Sequence, residues 1–191
     1  MKRCMSVLAL SLPLTAFALS TAASAASSEK ASPQEPQSLS VEIYRATENG
    51  LGHQIGQVTI TENRYGLVFT PDLKELKPGL YGFHVHTNPD CGLGEKDGKV
   101  VIAGLAGGHL DPQKTEHHSA PWDDSGHLGD LPPLYVDEKG DAKLPVLAPK
   151  LKKLSDVRGH SLMIHVGHDN YADQPEPMGG GGARFACGVI R

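Results

Sequence analysis

Short apolar segments separated by turn residues run through most of the chain. In each of them hydrophobic and polar residues alternate, or β-branched residues follow one another, which is typical of β-strands. Seven such segments occur: Val41–Tyr44, Gly56–Thr61, Tyr65–Leu73, Leu80–Thr87, Asp141–Leu147, His160–Gly167 and Ala183–Ile190. Turn sequences such as KPG and EKG lie between them, and no segment has a long helical period. The pattern predicts an all-β domain in which antiparallel strands form a sandwich or barrel.

Two segments break this alternation, and both are rich in glycine and polar residues. Residues 87–133 contain histidines, aspartates and one cysteine but little periodicity, and residues 166–182 form a second irregular stretch before the last predicted strand. Loops of this length are uncommon in a compact domain unless they are functional. The sequence therefore predicts two long functional loops.

The first 25 residues have the features of a secretory signal peptide. Lys2 and Arg3 precede an apolar run, and the small residues ASA end at position 25, as at a cleavage site. A retained membrane anchor is the alternative, although the run is short for a bilayer span. The next residues are polar and contain proline, which is typical of a flexible leader. The predicted organisation is a signal peptide (1–25), a leader (26–40) and one domain (41–191) exported to the periplasm.

Net charge restricts the partners of the exported chain. The sequence has 18 basic and 22 acidic residues, and loss of Lys2 and Arg3 with the signal peptide leaves 16 basic residues, which changes the formal charge from −4 to −6. An acidic protein is repelled by nucleic acid and by anionic membrane surfaces. We therefore expect neither nucleic acid nor a membrane as a partner.

Cysteine usage points to an oxidising compartment. Cys4 lies within the predicted signal peptide, so only Cys91 and Cys187 remain in the exported chain. An even number of cysteines in an exported protein predicts a disulfide. Two buried free thiols are the alternative.

The segment GFHVHTNPDC places His84 and His86 one residue apart. Side chains alternate between the two faces of a strand, so both imidazoles share one face while Phe83 and Val85 point to the core. Two such imidazoles can bind a metal ion if further ligands converge on them. Two solvated side chains on an outer strand face are the alternative.

A second predicted strand, HSLMIHVG, repeats this alternation. His165 should project from the side opposite to Leu162, Ile164 and Val166. Three imidazoles from two strands, together with one from a loop, would make a four-nitrogen site. Such a site favours Cu(II) by affinity and by geometry.

The first long loop supplies more candidate ligands in GGHLDPQKTEHHSAPWDDSGHLGD: His109, His117, His118, His127 and Asp130. The last two form an HxxD pair in a glycine-containing turn. Three imidazoles and one carboxylate suit the four-coordinate nitrogen and oxygen sites of zinc. A polar surface loop without a metal ion is the alternative.

Five motifs in order, GFHVH, GGHLDP, GHLGDLP, SLMIH and GGGGARFACGVI, resemble those of the bacterial periplasmic copper,zinc superoxide dismutases, and the resemblance extends from Val41 to Arg191. It implies a Greek-key β-sandwich or flattened barrel related to the immunoglobulin fold. It also implies one copper and one zinc per subunit, with superoxide as the substrate. The reaction would convert superoxide to oxygen and hydrogen peroxide through a Cu(II)/Cu(I) cycle and would protect the cell envelope.

The resemblance assigns a role to each candidate ligand, with His109 bridging the two metals. The copper ligands would be His84, His86, His109 and His165, and the zinc ligands would be His109, His118, His127 and Asp130. His118 is preferred to His117 because the sequence HSAP that it begins matches an HxxP motif of the family. The remaining histidines are expected on the surface: His53, His117, His160 and His168.

Three further assignments follow from the same resemblance. Asp169 matches the carboxylate that links a copper histidine to a zinc histidine. Arg184 matches the active-site arginine, which acts in catalysis together with the bridging histidine. Cys91 and Cys187 match the disulfide of the family. Glu176 departs from the pattern, because related bacterial sequences often have lysine there, and we expect weaker attraction of the substrate anion as a result.

Two other classes of protein could use these ligands. A metal-storage or copper-delivery protein would need neither a bridging imidazole nor Arg184. A zinc hydrolase would need an open coordination position and a general base, whereas the assigned ligands already fill the zinc site. Trp122, an aromatic residue in the first long loop, is a candidate contact for a homodimer.

Overall fold

The computed structural model describes residues 38–191. The predicted signal peptide and most of the predicted leader lie outside these residues. The last three leader residues belong instead to the first strand, Ser38–Thr47, in which Leu39 is buried in the core. In the part of the chain that is described, no helix is long and apolar enough to cross a membrane.

Antiparallel strands and three short 3₁₀ turns make up the regular structure of residues 38–191. The strands are β1 (Ser38–Thr47), β2 (Gly50–Asn63), β3 (Gly66–Leu73), β4 (Gly79–Tyr81), β5 (Phe83–His86), β6 (Gly94–Lys96), β7 (Lys99–Val101), β8 (Leu134–Val136), β9 (Val146–Ala148), β10 (Ser161–His165) and β11 (Arg184–Val189). The 3₁₀ turns span Gly104–Ala106, Leu154–Asp156 and Pro177–Gly180. Seven strands form one sheet in the order β5-β10-β11-β1-β2-β3-β9.

The pairing of β4 with β8 brings the two ends of this sheet together. At one end, β4 runs into β5 with only Gly82 between them. At the other end, the chain leaves β8, bridges through Ala142 to Leu73 of β3 and enters β9. The sheet thus curls toward a flattened barrel, and the return of β11 to pair with β1 gives the Greek-key connection. The predicted all-β antiparallel fold class is confirmed.

Alternate residues of the strands fill the interior of the barrel. Phe69 of β3 and Phe83 of β5 meet edge to face, with ring centroids 5.8 Å apart. Burial of each large apolar side chain contributes about 1.5–3 kcal/mol. The fully buried strand residues include Val41, Ile43, Val58, Ile60, Leu67, Phe69, Phe83, Val85, Leu162 and Ile164. Because β5 and β10 turn these residues inward, their histidines must point away from the core.

Several short elements differ from the sequence prediction. Val166 does not join Leu162 and Ile164 in the core but is 53% exposed, because β10 ends at His165, where its pairing with β11 becomes irregular. Gly82 divides one predicted strand into β4 and β5, since its N–H donates to a carbonyl of the second long loop. Of the segment predicted at 141–147, only its end lies in a strand, β9. The three-residue strands β6, β7 and β8 are too short to show alternation in the sequence.

Backbone hydrogen bonds join the first long loop, residues 87–133, to Val85 of β5 and join two segments of the loop to each other. Val85 N–H donates to Gly129 O (2.9 Å), Gly129 N–H to Leu110 O (2.8 Å), and Leu110 N–H to Val85 O (2.8 Å). In the sequence, Leu110 directly follows the candidate ligand His109, and Gly129 directly precedes the candidate ligand Asp130. These bonds therefore align two segments of the loop against the strand that carries the HxH pair.

A disulfide between Cys91 and Cys187 ties the same loop to β11, and the predicted pairing is present. Both cysteines are buried in a small apolar cluster with Ala103 and Met163. The two cysteines are 96 residues apart in the sequence, and closure of a loop of this size contributes about 4–5 kcal/mol in the chain-entropy model. The disulfide and the hydrogen bonds to β5 thus hold the loop at separate points.

Gly129→Ala should weaken the attachment of the loop to β5. A β-carbon at this position would collide with Val85 O and lie 2.9 Å from Leu110 N. We expect the free energy of unfolding to fall by about 1–3 kcal/mol, as measured by urea denaturation. Gly108→Ala is the control, because a β-carbon there meets no atom of the described structure within 4 Å. Equal stability of the two variants would contradict this account.

Candidate metal centre

The histidines of β5 and β10 point away from the core, as alternation predicts, but their face of the sheet is not exposed to solvent. His84, His86 and His165 are all buried. The two long loops cover this face, with the carbonyls of Gly107 and Gly182 in contact with the rings. The expectation that these imidazoles lie on an outer strand face is therefore corrected. The imidazoles are buried between the sheet and the two long loops.

His109 reaches the same place from the first long loop. It forms a β-bridge with His86, and its ring stacks on that of His84 with centroids 4.0 Å apart. Potential ligand atoms of His84, His86, His109 and His165 lie within 4.8 Å of one another. The structure thus brings together the four residues predicted to bind copper, and we call them the four-histidine group.

One nitrogen of each strand histidine is left to face the centre of this group. His86 Nδ1 donates to Gly107 O (2.9 Å) and His165 Nδ1 to Gly182 O (3.1 Å), and the Nε2 atoms of these two rings are 3.3 Å apart. His84 Nε2 pairs with a carboxylate, and its buried Nδ1 has no hydrogen-bond partner within residues 38–191. A buried polar atom without a partner is unusual, so these donors fit a metal ion.

Burial keeps these imidazoles neutral. It lowers the pKa of His84 and of His86 well below the usual value, and the proximity of His109 adds to the effect. It also lowers the pKa of His165 to about 4. Neutral imidazole is the form that binds a metal ion, so the group is ready for ligation at neutral pH.

A second group of side chains converges on one carboxylate oxygen, Asp130 Oδ1. The Nδ1 atoms of His109, His118 and His127 lie 2.9, 3.1 and 3.3 Å from it. Two atoms bound to one tetrahedral zinc ion are about 3.3 Å apart, so these spacings fit a shared ion. In the described structure, His118 Nδ1 is buried and makes no hydrogen bond, although it faces the carboxylate. We call these four residues the aspartate group.

His84 also lies close to this second group. Potential ligand atoms of His84, His109, His118 and Asp130 are within 4.8 Å of one another. We nevertheless assign His127 to the aspartate group, because its Nδ1 faces Asp130 Oδ1 directly. The Nε2 atom of His84 is engaged by Asp169, so this histidine has one nitrogen for ligation, and the four-histidine group needs it.

Charge in the aspartate group favours a cation. Burial would raise the pKa of Asp130, but its close contacts with His109, His118 and His127 hold the pKa of this carboxyl well below its usual range. Burial would lower the pKa of His118, yet its contacts with Asp130 and Asp169 outweigh that effect and raise its pKa to about 9. A positive charge is thus stabilised where the three rings meet the carboxylate, and a bound zinc ion would supply that charge.

Asp169 connects the two groups. Its Oδ2 accepts a hydrogen bond from His84 Nε2 (2.7 Å), and its Oδ1 accepts one from His118 Nε2 (2.8 Å). The N–H of Tyr171 donates to the same Oδ1 (2.8 Å) and orients the carboxylate. A ligating imidazole needs its second nitrogen held in this way. The structure therefore places Asp169 between the two groups, as the resemblance implies.

Arg184, the first residue of β11, lines a pocket that opens onto the four-histidine group. Its Nη1 and Nη2 donate to the backbone carbonyls of Ala103 and Gly107, which hold the half-buried guanidinium in place. The pocket has a volume of about 190 Å³, and its other lining residues are His86, Gly108, His109, His165, Met178 and Gly182. A fixed positive charge thus lies beside the histidines at the point of access from solvent.

The remaining histidines lie outside both groups. His53, His117 and His168 are exposed, and His160 is half-buried, with Nδ1 donating to a backbone carbonyl (2.6 Å). His117 pairs with Asp173 (2.9 Å) at the surface. Of the two adjacent histidines in the loop, the structure therefore brings only His118 into the aspartate group.

Sequence reasoning missed several contacts that hold the ligands. Lys150 Nζ donates to the carbonyls of His127 (2.6 Å) and Asp123 (3.1 Å) and so fixes the turn that carries the HxxD pair. Every residue has a carbonyl group, so such acceptors leave no signal in the sequence. Glu176 is exposed and is not among the described residues that line the pocket.

Two ligand groups that share His109, in a flattened β-barrel and beside an open pocket, define a protein that holds two metal ions. The sequence model of the copper/zinc superoxide dismutase family matches residues 54–190. A copper-zinc superoxide dismutase of Salmonella typhimurium is 59% identical over 152 residues, which cover 80% of this chain and 86% of the relative. That of Actinobacillus pleuropneumoniae is 51% identical over 185 residues, 95% of this chain and 97% of the relative.

Solved structures agree with these sequence relatives. The copper/zinc superoxide dismutase of Brucella abortus is 54% identical and superposes with a TM-score of 0.79, over 81% of this chain and 100% of its own. The chain belongs to the copper/zinc superoxide dismutase family.

Asp169→Asn should weaken metal retention without unfolding the protein. An amide can accept a hydrogen bond from only one of the two histidines, and loss of such an orienting contact lowers metal affinity or activity by about 10–100-fold. Metal content after dialysis against a chelator measures the effect. Asp124→Asn, at an exposed position of the first long loop, is the control. Equal copper and zinc retention in both variants would show that Asp169 does not orient the ligands.

Proposed function

We propose that the protein converts two superoxide ions and two protons to oxygen and hydrogen peroxide at a site built around His109. Family membership supports the reaction, and the observation that carries the assignment of residues is that His109 belongs to both ligand groups. One copper ion would be held by His84, His86, His109 and His165. One zinc ion would be held by His109, His118, His127 and Asp130.

His109 has one ring nitrogen for each group in this proposal. Copper supplies one-electron oxidation and reduction when bound, whereas zinc has no accessible second oxidation state. Nδ1 of His109 stays on the side of Asp130, and Nε2 can take up a proton and deliver it to reduced oxygen. Burial lowers the pKa of His109, which disfavours a ring that is protonated at both nitrogens.

Arg184 attracts and orients the substrate anion in this proposal. Superoxide is small and offers few contacts, so its capture depends on the local electric field. The chain as a whole has a formal charge of −4, which repels an anion. A guanidinium fixed beside the pocket gives a local positive potential, and its planar fork can hold an anion in one orientation.

The two alternative classes fit these observations less well. A metal carrier has no use for a histidine shared by two ligand groups or for an arginine fixed at a pocket. A zinc hydrolase keeps a coordination position open for water, whereas four protein donors surround the candidate zinc position. These features favour a redox enzyme.

We also propose that the protein is exported to the periplasm, where it would protect the cell envelope. The signal-peptide features of residues 1–25 and a disulfide, which persists in oxidising compartments, support this location. Mass measurement of protein from the periplasmic fraction should give a chain that begins near Ala26, and retention of residues 1–25 would contradict the proposal. A homodimer stays a prediction, to be tested by sedimentation at several concentrations.

His109→Ala should separate the two metal sites. Copper should still bind through the three strand histidines, but magnetic coupling between copper and Co(II) placed in the zinc site should disappear. Electron paramagnetic resonance of the Co(II)-substituted protein measures this coupling. His117→Ala, an exposed position in the same loop, should keep it. If the wild-type protein itself shows no coupling, the bridging role is wrong.

Arg184→Ala should lower the rate with superoxide at low salt by roughly tenfold and flatten its dependence on ionic strength, because steering raises association rates by about 10–10³-fold and is screened by salt. Metal content should not change. Arg184→Lys should recover only part of the loss, since an ammonium group lacks the fork. Arg158→Ala, at an exposed position, removes the same charge and is the control. A wild-type rate and salt slope in Arg184→Ala would rule out the steering role.

A further inference from the structure

Met178 places a thioether at the opening of the pocket. It lines the pocket together with Arg184, His86 and His165 and is 45% exposed. Every other residue that lines this pocket is a histidine, a glycine or the arginine, so within the described structure Met178 supplies the one oxidisable sulfur there. Small molecules that enter or leave the four-histidine group pass this side chain.

The backbone holds Met178 in this position. Its φ of 54° and ψ of 43° lie in the left-handed region, which is uncommon for a residue with a side chain. The N–H of Met178 donates to Asp173 (3.4 Å), and Gly181 N–H donates to Met178 O (3.4 Å). The next residue, Gly179, packs so closely on Asp169 and His118 that a β-carbon would collide with both. The thioether is therefore kept at the opening by the same loop that orients the ligands.

We propose that Met178 is a site of oxidation by the enzyme's own product, hydrogen peroxide. This inference rests on the proposed function, since the reaction supplies the oxidant. The sulfur attacks one oxygen of hydrogen peroxide, an S–O bond forms and the O–O bond breaks. The sulfur loses two electrons and becomes a sulfoxide, and the other oxygen takes the remaining protons and leaves as water.

The modification changes the chemistry of the opening. A sulfoxide is polar, and its oxygen carries partial negative charge, whereas the thioether is apolar. Beside Arg184, this oxygen would compete with the substrate anion for the guanidinium. Oxidation of Met178 by peroxide on its way out of the pocket therefore lowers the rate of anion capture as the number of turnovers grows, and reductases of methionine sulfoxide can reverse it.

Met163 provides an internal reference within the same molecule. It lies in β10, paired in register with His84, but it is fully buried beside the disulfide. Both methionines are thus near the four-histidine group, and only Met178 can be reached from the pocket. Product-driven oxidation should therefore modify Met178 and leave Met163 unchanged.

The test compares protein loaded with copper and zinc to protein loaded with zinc alone, each under the same steady flux of superoxide. Catalase in both samples removes hydrogen peroxide from bulk solution, so that only peroxide acting before it escapes can modify the protein. Peptide mass spectrometry should show about tenfold or more Met178 sulfoxide in the copper-loaded sample, with Met163 unmodified in both. Consumption of superoxide is measured in the same samples.

The outcomes separate this inference from the proposed function. If the copper-loaded protein consumes superoxide but Met178 is oxidised equally in both samples, or in neither, then product-driven oxidation is wrong while the enzyme activity stands. If superoxide is not consumed, both the proposed function and the product-driven oxidation of Met178 are wrong. Met178→Leu, which keeps an apolar side chain of similar size, should lose the added oxygen and should also lose the decline in rate over prolonged turnover. A decline equal to that of the wild type would show that the oxidation does not limit anion capture.

Discussion

One carboxylate oxygen, Asp130 Oδ1, sets the direction of the rings on both sides of the metal centre. Three imidazoles turn Nδ1 toward it, so each must turn Nε2 elsewhere. For His118 the Nε2 partner is Asp169, which in turn holds Nε2 of His84 and leaves Nδ1 of that ring for the four-histidine group. The orientation of His84 in the four-histidine group thus depends on the contact between His118 and Asp130 in the aspartate group.

This arrangement is costly to assemble, because it collects polar rings and carboxylates where water is largely excluded. The fold offsets the cost with ties that act on the loop backbone rather than on the ligands. The hydrogen bonds among Val85, Leu110 and Gly129 align the loop with β5, and the disulfide from Cys91 joins it to β11. The ligand-bearing segments are therefore close to their final positions before any ion contributes.

Residue type and spacing predicted the ligands because metal chemistry restricts which side chains can serve, and because alternation reports the face on which a strand residue lies. The same alternation could not report that the face carrying His84 and His86 is covered, since the cover comes from loops remote in sequence. It placed Val166 on the same face as Leu162 and Ile164 because it contains no information on where a strand ends. Lys150 was missed because its partners are backbone carbonyls, which no residue type marks.

The two connections between the ligand groups form a closed ring. One connection is His109 itself, and the other runs from His118 through Asp169 to His84. Sites joined in this way share a coupling free energy, and such coupling is reciprocal. If a cation bound in one group changes the affinity of the other group by some factor, a cation bound in the second group changes the affinity of the first by the same factor. With a positive coupling, a cell compartment depleted of zinc would also weaken the binding of copper by this protein.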